Sequence, residues 1–161
     1  MKTEYSIRFN IDTKDPGRIR QIVTSSGFFS REEIEIAVEL AEERLEKGPS
    51  SGYEFVFLDQ EEQTLGYTCY GLIPGTKSSY HLYWIAVDDK FRHGGFGKQL
   101  LQITEKQVKK SGGSGLYAET SGRDQYEPTR AFYLHNGYEA KARFEDYYDQ
   151  GDDLVYFVKK I

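Results

Sequence analysis

The sequence is poor in several residue types. Among 161 residues there are one cysteine, one methionine, one tryptophan and four prolines. A single thiol, Cys69, excludes an intrachain disulfide and any metal centre built on a cysteine cluster, and no metal is expected. No apolar run approaches the ~18 residues of a membrane-spanning helix. The N-terminal Met1-Lys2-Thr3-Glu4-Tyr5 lacks the apolar core of a secretion signal. These absences predict a cytoplasmic protein with no membrane partner. Positive charge is also short, with 21 Lys and Arg against 26 Asp and Glu, a formal net charge of -5. Binding of nucleic acid needs a strongly basic face, so none is expected.

What the chain has instead is ring area and glycine: 13 Tyr, 10 Phe and 16 Gly. Each ring can bury ~150–250 Å², and the length suits one domain over residues 1–161. Glu4 to Phe9 alternates as a first strand, with Tyr5, Ile7 and Phe9 on one face. Asp15-Pro16 starts a short helix, with Asp15 as its cap, and Gly27 ends it. Ser30 and Glu33 form a capping box for a second helix carrying Ile34, Ala37, Val38, Ala41 and Leu45. Tyr53–Leu58 and Thr64–Leu72 read as a hairpin. Tyr80–Val87 is continuously apolar at its end, which predicts a strand buried on both faces.

A glycine-rich turn, a helix over Lys98–Lys110 and a strand over Leu116–Thr120 then complete a βαβ crossover, hence a parallel pair. A helix over Pro128–Asn136 and a hairpin of Tyr138–Tyr147 with Leu154–Lys160 close the chain. The order predicts an α+β fold.

The turn reads Val87-Asp88-Asp89-Lys90-Phe91-Arg92-His93-Gly94-Gly95-Phe96-Gly97-Lys98. Glycines between a strand and a helix N-terminus bring backbone N–H groups and the positive helix end to one spot, which is an anion site. The bland alternative is a tight turn that needs glycine for packing alone. A nucleoside-triphosphate loop fails at Arg92 and Gln99, and a dinucleotide fingerprint fails at Leu100. Residues 88–110 hold six Lys or Arg against three Asp or Glu, which favours the anion site.

Val87 through Leu101 resembles the acetyl-CoA-binding motif of the GNAT superfamily of N-acetyltransferases, with Arg92-x-x-Gly95-x-Gly97 in place of [QR]-x-x-G-x-[GA]. Ala131-Phe132-Tyr133-Leu134-His135-Asn136-Gly137-Tyr138 resembles the second signature of that family, at a matching separation. The resemblance spans residues 4–160. It implies a mixed, mostly antiparallel sheet with a splayed parallel strand pair and about four flanking helices. It also implies that main-chain groups of Ile85 and Val87 meet the acetyl and pantetheine arm. The backbone of Arg92, His93, Gly94, Gly95, Gly97 and Lys98 would hold the pyrophosphate, and Tyr133 would lie near the thioester sulfur. Two departures stand out: Tyr126 replaces a frequent Asn, and His93 replaces a frequent Gly.

Amide formation from a thioester needs a neutral amine and a protonated leaving thiolate. A phenol, of ordinary pKa about 10, is a chemically suitable acid, and Tyr133 takes that role. For the base, Glu119 at the end of its strand is the first candidate and His81 the second. A water path without a dedicated side chain is the third. In the resembled family, the Phe28-Phe29 loop and the last hairpin border the acceptor. Residues 145–153 hold five carboxylates and no basic residue, with Tyr147 and Tyr148 among them, so an acidic, aromatic mouth for a cationic amine is expected. The expected activity is direct transfer from acetyl-CoA to a small-molecule amine, and a homodimer is left open. Acetylation of protein N-termini or lysines, and acyl-CoA sensing without catalysis, are the alternatives.

Overall fold

The computed structural model describes residues 4–161. Met1–Thr3, part of the N-terminus read above for a leader, lie outside them. The elements are β1 (Ser6–Arg8), α1 (Asp15–Ser25), α2 (Arg31–Lys47), β2 (Glu54–Gln60), β3 (Gln63–Leu72), β4 (Ser79–Val87), α3 (Phe96–Lys110), β5 (Gly115–Ser121), α4 (Glu127–His135), β6 (Glu139–Asp149) and β7 (Asp152–Lys160). The seven strands form one sheet in the order β1-β2-β3-β4-β5-β7-β6. It is mostly antiparallel, with one parallel pair, β4–β5. That pair is in register over Ser79–His81 against Gly115–Tyr117, and both strands run on past it, to Val87 and Ser121. The expected α+β architecture with four α-helices and a parallel pair is the observed one.

The chain divides into two compact units, and the division falls inside β4. The first unit runs to Gly71 and takes in Trp84–Lys106. Its core includes Ile19, Val23, Val38, Ala41, Phe57, Leu58, Leu65, Tyr67, Leu100 and Leu101. Ser30 accepts the Glu33 N–H at 3.1 Å and the Glu33 carboxylate accepts the Ser30 N–H at 2.8 Å, so the expected capping box starts α2. Thr104 of α3 meets Thr68 of β3 at 2.7 Å, a buried polar pair that satisfies itself. Gly66 allows β3 to approach β4: a Cβ there would lie 2.8 Å from the Ala86 carbonyl oxygen.

One expectation is corrected at the start of this unit. Asp15 does not cap α1; it is its first residue and is fully buried. Its carboxylate accepts from Arg8 at 2.7 Å, from Arg18 at 3.0 Å and from the Asp12 N–H at 2.8 Å. A buried carboxylate without such partners would be prohibitively desolvated. Arg8 also bonds Asp59 and covers the Phe57 ring at 4.2 Å, so the Arg8 side of β1 faces inward. Ile7 and Phe9 stay 47% and 45% exposed. Arg8 takes the inward side because paired charges anchor it there.

The second unit takes in Leu72–Tyr83 and Gln107–Ile161. β7 lies between β5 and β6, paired antiparallel with both. Leu116, Ala118, Tyr133, Tyr138, Leu154, Val155 and Phe157 are buried here.

Candidate active site

In the first unit, the glycine turn has the backbone that an anion site needs. His93 and Gly95 sit at φ 63° and 79°, on either side of Gly94, and α3 begins at Phe96. Left-handed positions of this kind turn successive amides toward one concavity. Around a Cβ placed on Gly95 no atom would lie within 4 Å, so that face of the loop is open. The loop therefore has the form of an anion site: main-chain N–H groups of His93 through Lys98 lie at the N-terminus of a fifteen-residue helix, while the Arg92 N–H, expected among them, is donated to the Asp89 carbonyl at 3.3 Å. His93 holds the left-handed conformation without being glycine, which His tolerates better than most residues.

The charge count behind this site is thinner than the sequence implied. Lys109 and Lys110 occupy the last turn of α3, about 20 Å from its start at 1.5 Å per residue. Arg92 is paired with Asp89 at 3.1 Å. Lys90 and Lys98, both exposed, are the remaining cations near the turn.

Upstream, β4 carries Ile85 and Val87. The expected burial on both faces is not observed: of its nine residues only Leu82 is buried and the rest are half-buried. Apolarity here marks a surface left partly open. Phe29 packs edge-on against Trp84 at 5.0 Å and against Phe28 at 5.2 Å, which brings the Phe28-Phe29 loop to β4. Two hollows also lie in this unit, of about 210 Å³ beside Arg18, Gln63 and Asp88, and of about 390 Å³ along the glutamates of α2. Neither includes a sequence-predicted site residue.

The second unit gathers the proton-transfer candidates. Glu119 is exposed at the end of β5 and accepts the Tyr156 phenol hydrogen at 2.7 Å. His81 stacks on Tyr83 with ring centroids 4.7 Å apart and meets Tyr156 edge-on at 6.3 Å. Burial lowers the His81 pKa, against the pull of Glu119, so the imidazole is neutral near pH 7. Tyr148 is pushed up to about 12, by burial first and then by Glu119 and Tyr147. Tyr156 rises above the usual phenol range, by burial and by its bond to Glu119. Glu119, His81 and Tyr148 thus belong to one neighbourhood.

Tyr133 is packed away from that group. It is 4% exposed, stacked on Phe157 at 5.4 Å and edge-on to Tyr138 at 5.5 Å, and burial raises its phenol. His135 is exposed.

The acetyltransferase (GNAT) domain family matches residues 51–140. A crystal structure of a protein from Desulfovibrio desulfuricans assigned to the GNAT family is 39% identical, with a TM-score of 0.96 over 98% of this chain and 99% of that one. The chain belongs to the GNAT family of acetyltransferases. Two more distant structures share its fold. The ribosomal-protein-S18-alanine N-acetyltransferase of Escherichia coli is 19% identical, with a TM-score of 0.76 over 98% of this chain and 94% of that one. An aminoglycoside 6'-N-acetyltransferase complexed with coenzyme A is 16% identical, with a TM-score of 0.75 over 96% of each chain. Among curated proteins the sequence has no significant match.

This GNAT acetyltransferase departs from the motif of its family in ways the structure makes concrete. Tyr126, in place of the frequent Asn, ends a short turn before α4, with the Arg123 guanidinium 5.6 Å from its ring centre. The acidic hairpin is also not what its composition suggested. Arg143 binds Asp153 at 2.8 Å, and Arg123 binds Asp152 at 3.2 Å. Asp146 accepts the Gly151 N–H and Asp149 accepts the Gln150 N–H. Four of the five carboxylates hold the hairpin together, and two arginines from outside residues 145–153 offset them. Tyr147 and Tyr148 remain exposed, at 58% and 46%, and pack edge-on at 5.0 Å. Sequence reasoning missed Tyr156, because β5 and β7 pair across a long sequence gap.

Proposed function

We propose that the chain, working as a single domain, transfers the acetyl group of acetyl-CoA directly to the amine of a small cationic molecule. The observation that carries the acceptor class is Glu119: its only bond among the described residues is from a neutral phenol, so its negative charge is left for a cation. The rings of His81, Tyr148 and Tyr156 beside it suit an ammonium group as well. In this reading Glu119 replaces the hairpin carboxylates as the source of attraction.

Acetyl-CoA supplies an activated acyl carbonyl. The loop amides from His93 to Lys98 hold its pyrophosphate, with Gly95 and Gly97 allowing close approach, while Gly94 makes room for the Phe96 ring. Main-chain groups of Ile85 and Val87 receive the acetyl and pantetheine arm, where backbone N–H groups polarise a carbonyl without reorganisation. Phe28, Phe29, Tyr147 and Tyr148 border the acceptor. Glu119 takes one proton of the ammonium, the amine nitrogen forms the C–N bond as the C–S bond breaks, and Tyr133 donates to the departing thiolate; the second nitrogen proton leaves through solvent, which restores the Tyr133 phenol. Burial keeps the Tyr133 phenol protonated at every working pH, so it donates only as negative charge develops on sulfur. Direct transfer is supported by Cys69, which is 1% exposed with its thiol pushed well up by burial, and so is unsuited to carry an acyl group.

Release of CoA thiol from acetyl-CoA, followed over a panel of spermidine, an aminoglycoside, free amino acids and a lysine peptide, tests the proposal. Preference for the small cationic amines is expected. Preference for neutral or acidic acceptors contradicts it, and preference for the peptide moves the assignment to protein acetylation.

A further inference from the structure

We propose that Tyr156 is a positioning residue for the acceptor proton: its phenol fixes one oxygen of the Glu119 carboxylate, and the other oxygen meets the ammonium. This deepens the functional reading above and rests on Glu119 as proton acceptor. Glu119 and Tyr156 are directly paired residues of the antiparallel β5–β7 ladder, so their side chains leave the same face of the sheet. The phenol donates to Oε1 of Glu119 at 2.7 Å. A charge-assisted bond of this kind is among the stronger hydrogen bonds available to an exposed side chain.

The positioning follows from unequal freedom. A glutamate at an exposed strand end has three rotatable bonds, and ordering such a side chain costs ~1.5–2 kcal/mol. The Tyr156 ring has two, and it is half-buried, with edge contacts to His81 at 6.3 Å and Tyr117 at 6.5 Å. Tyr156 is thus the stiffer partner. A carboxylate has about four acceptor sites, so one phenol leaves room for a substrate proton. A lysine or arginine in the same place would hold the carboxylate equally well but cancel the charge that attracts the acceptor. A neutral donor does the first without the second. The titratable groups facing this pair are His81 from β4, Tyr117 from β5 and Tyr147 and Tyr148 from β6. His81 is neutral near pH 7, so none of these brings positive charge to the carboxylate.

The test is a double-mutant cycle on the intact chain, with acetyl-CoA and the fastest acceptor of the panel above. Tyr156→Phe keeps the ring and removes the donor. It is expected to lower kcat about 10-fold, the worth of a hydrogen bond to a charged group. The acid limb of the pH–rate profile should move upward, with KM for acetyl-CoA unchanged. In a Glu119→Gln background the same change is expected to cost nothing further. Multiplying losses in that background would overturn the proposal. So would a Tyr156→Phe rate equal to that of the parent beside an inactive Glu119→Gln, an outcome that leaves the proposed role of Glu119 standing. Full activity in Glu119→Gln sinks both together. A merely structural tyrosine would lower the melting temperature and leave the pH profile in place.

Discussion

The turn over residues 92–98 is made of main chain, while the surroundings of Glu119 are made of side chains. In the turn, seven consecutive residues suffice: glycines, a left-handed His93 and the start of α3. Around Glu119, the parts come from four strands: His81 from β4, Glu119 from β5, Tyr148 from β6 and Tyr156 from β7. A backbone site tolerates changes of side chain and fails when a conformation is denied. A side-chain site fails at single atoms and can be retuned one residue at a time. In the function proposed above, that contrast matches the two substrates, a constant cofactor and a variable acceptor.

The largest effect tests the side-chain half. Glu119→Gln is expected to lower kcat by about 100-fold or more, the usual contribution of a general base. KM for acetyl-CoA should stay in place; a matched rise in that KM would erase the distinction between the two regions. Next comes the main-chain half. Gly95→Val is expected to raise KM for acetyl-CoA about 10- to 100-fold, since a β-branched residue at φ 79° is strained by ~1–2 kcal/mol and its side chain covers the open face. Initial rates over a range of acetyl-CoA concentrations would show it, and an unchanged KM would return the turn to ordinary packing. Tyr133→Phe sharpens the comparison from a third position. A loss of about 10-fold in kcat with acetyl-CoA affinity kept is the result for a donor to the thiolate, whereas a collapse in melting temperature with no change in kcat is the result for a packed ring.

The smallest effect concerns pH. The folded-state pKa of His81 is depressed below its ordinary value, so the unfolded chain binds that proton more readily. The stability this contributes is present above the unfolded pKa, ~6.5, and is lost as pH falls through the folded value. The melting temperature should therefore drop as the pH is lowered below that point, and His81→Phe should flatten this part of the curve. An equal slope in both proteins would remove His81 from the account.

The same contrast explains what could be read from the sequence. The strands and helices, the Ser30–Glu33 box and the glycine turn before α3 were legible because each is a local pattern. Glu119 was legible as the end of a strand, but its neighbour was not. Tyr156 lies 37 residues away, and the insertion of β7 between β5 and β6 leaves no local mark. Charge misled twice. The hairpin carboxylates are met by Arg123 and Arg143, partners that a count over residues 145–153 leaves out, and Asp15, read as a cap, is instead buried between Arg8 and Arg18. β4 misled through its pattern. Continuous apolarity read as double burial, yet all its residues except Leu82 stay half-open.

The division of labour is tested most directly by calorimetric titration of CoA into Gly95→Val and Glu119→Gln, beside the parent chain. The account predicts that Gly95→Val loses affinity about 10-fold or more while Glu119→Gln binds as the parent does. Equal affinity in all three, or weakened binding in Glu119→Gln alone, would contradict it.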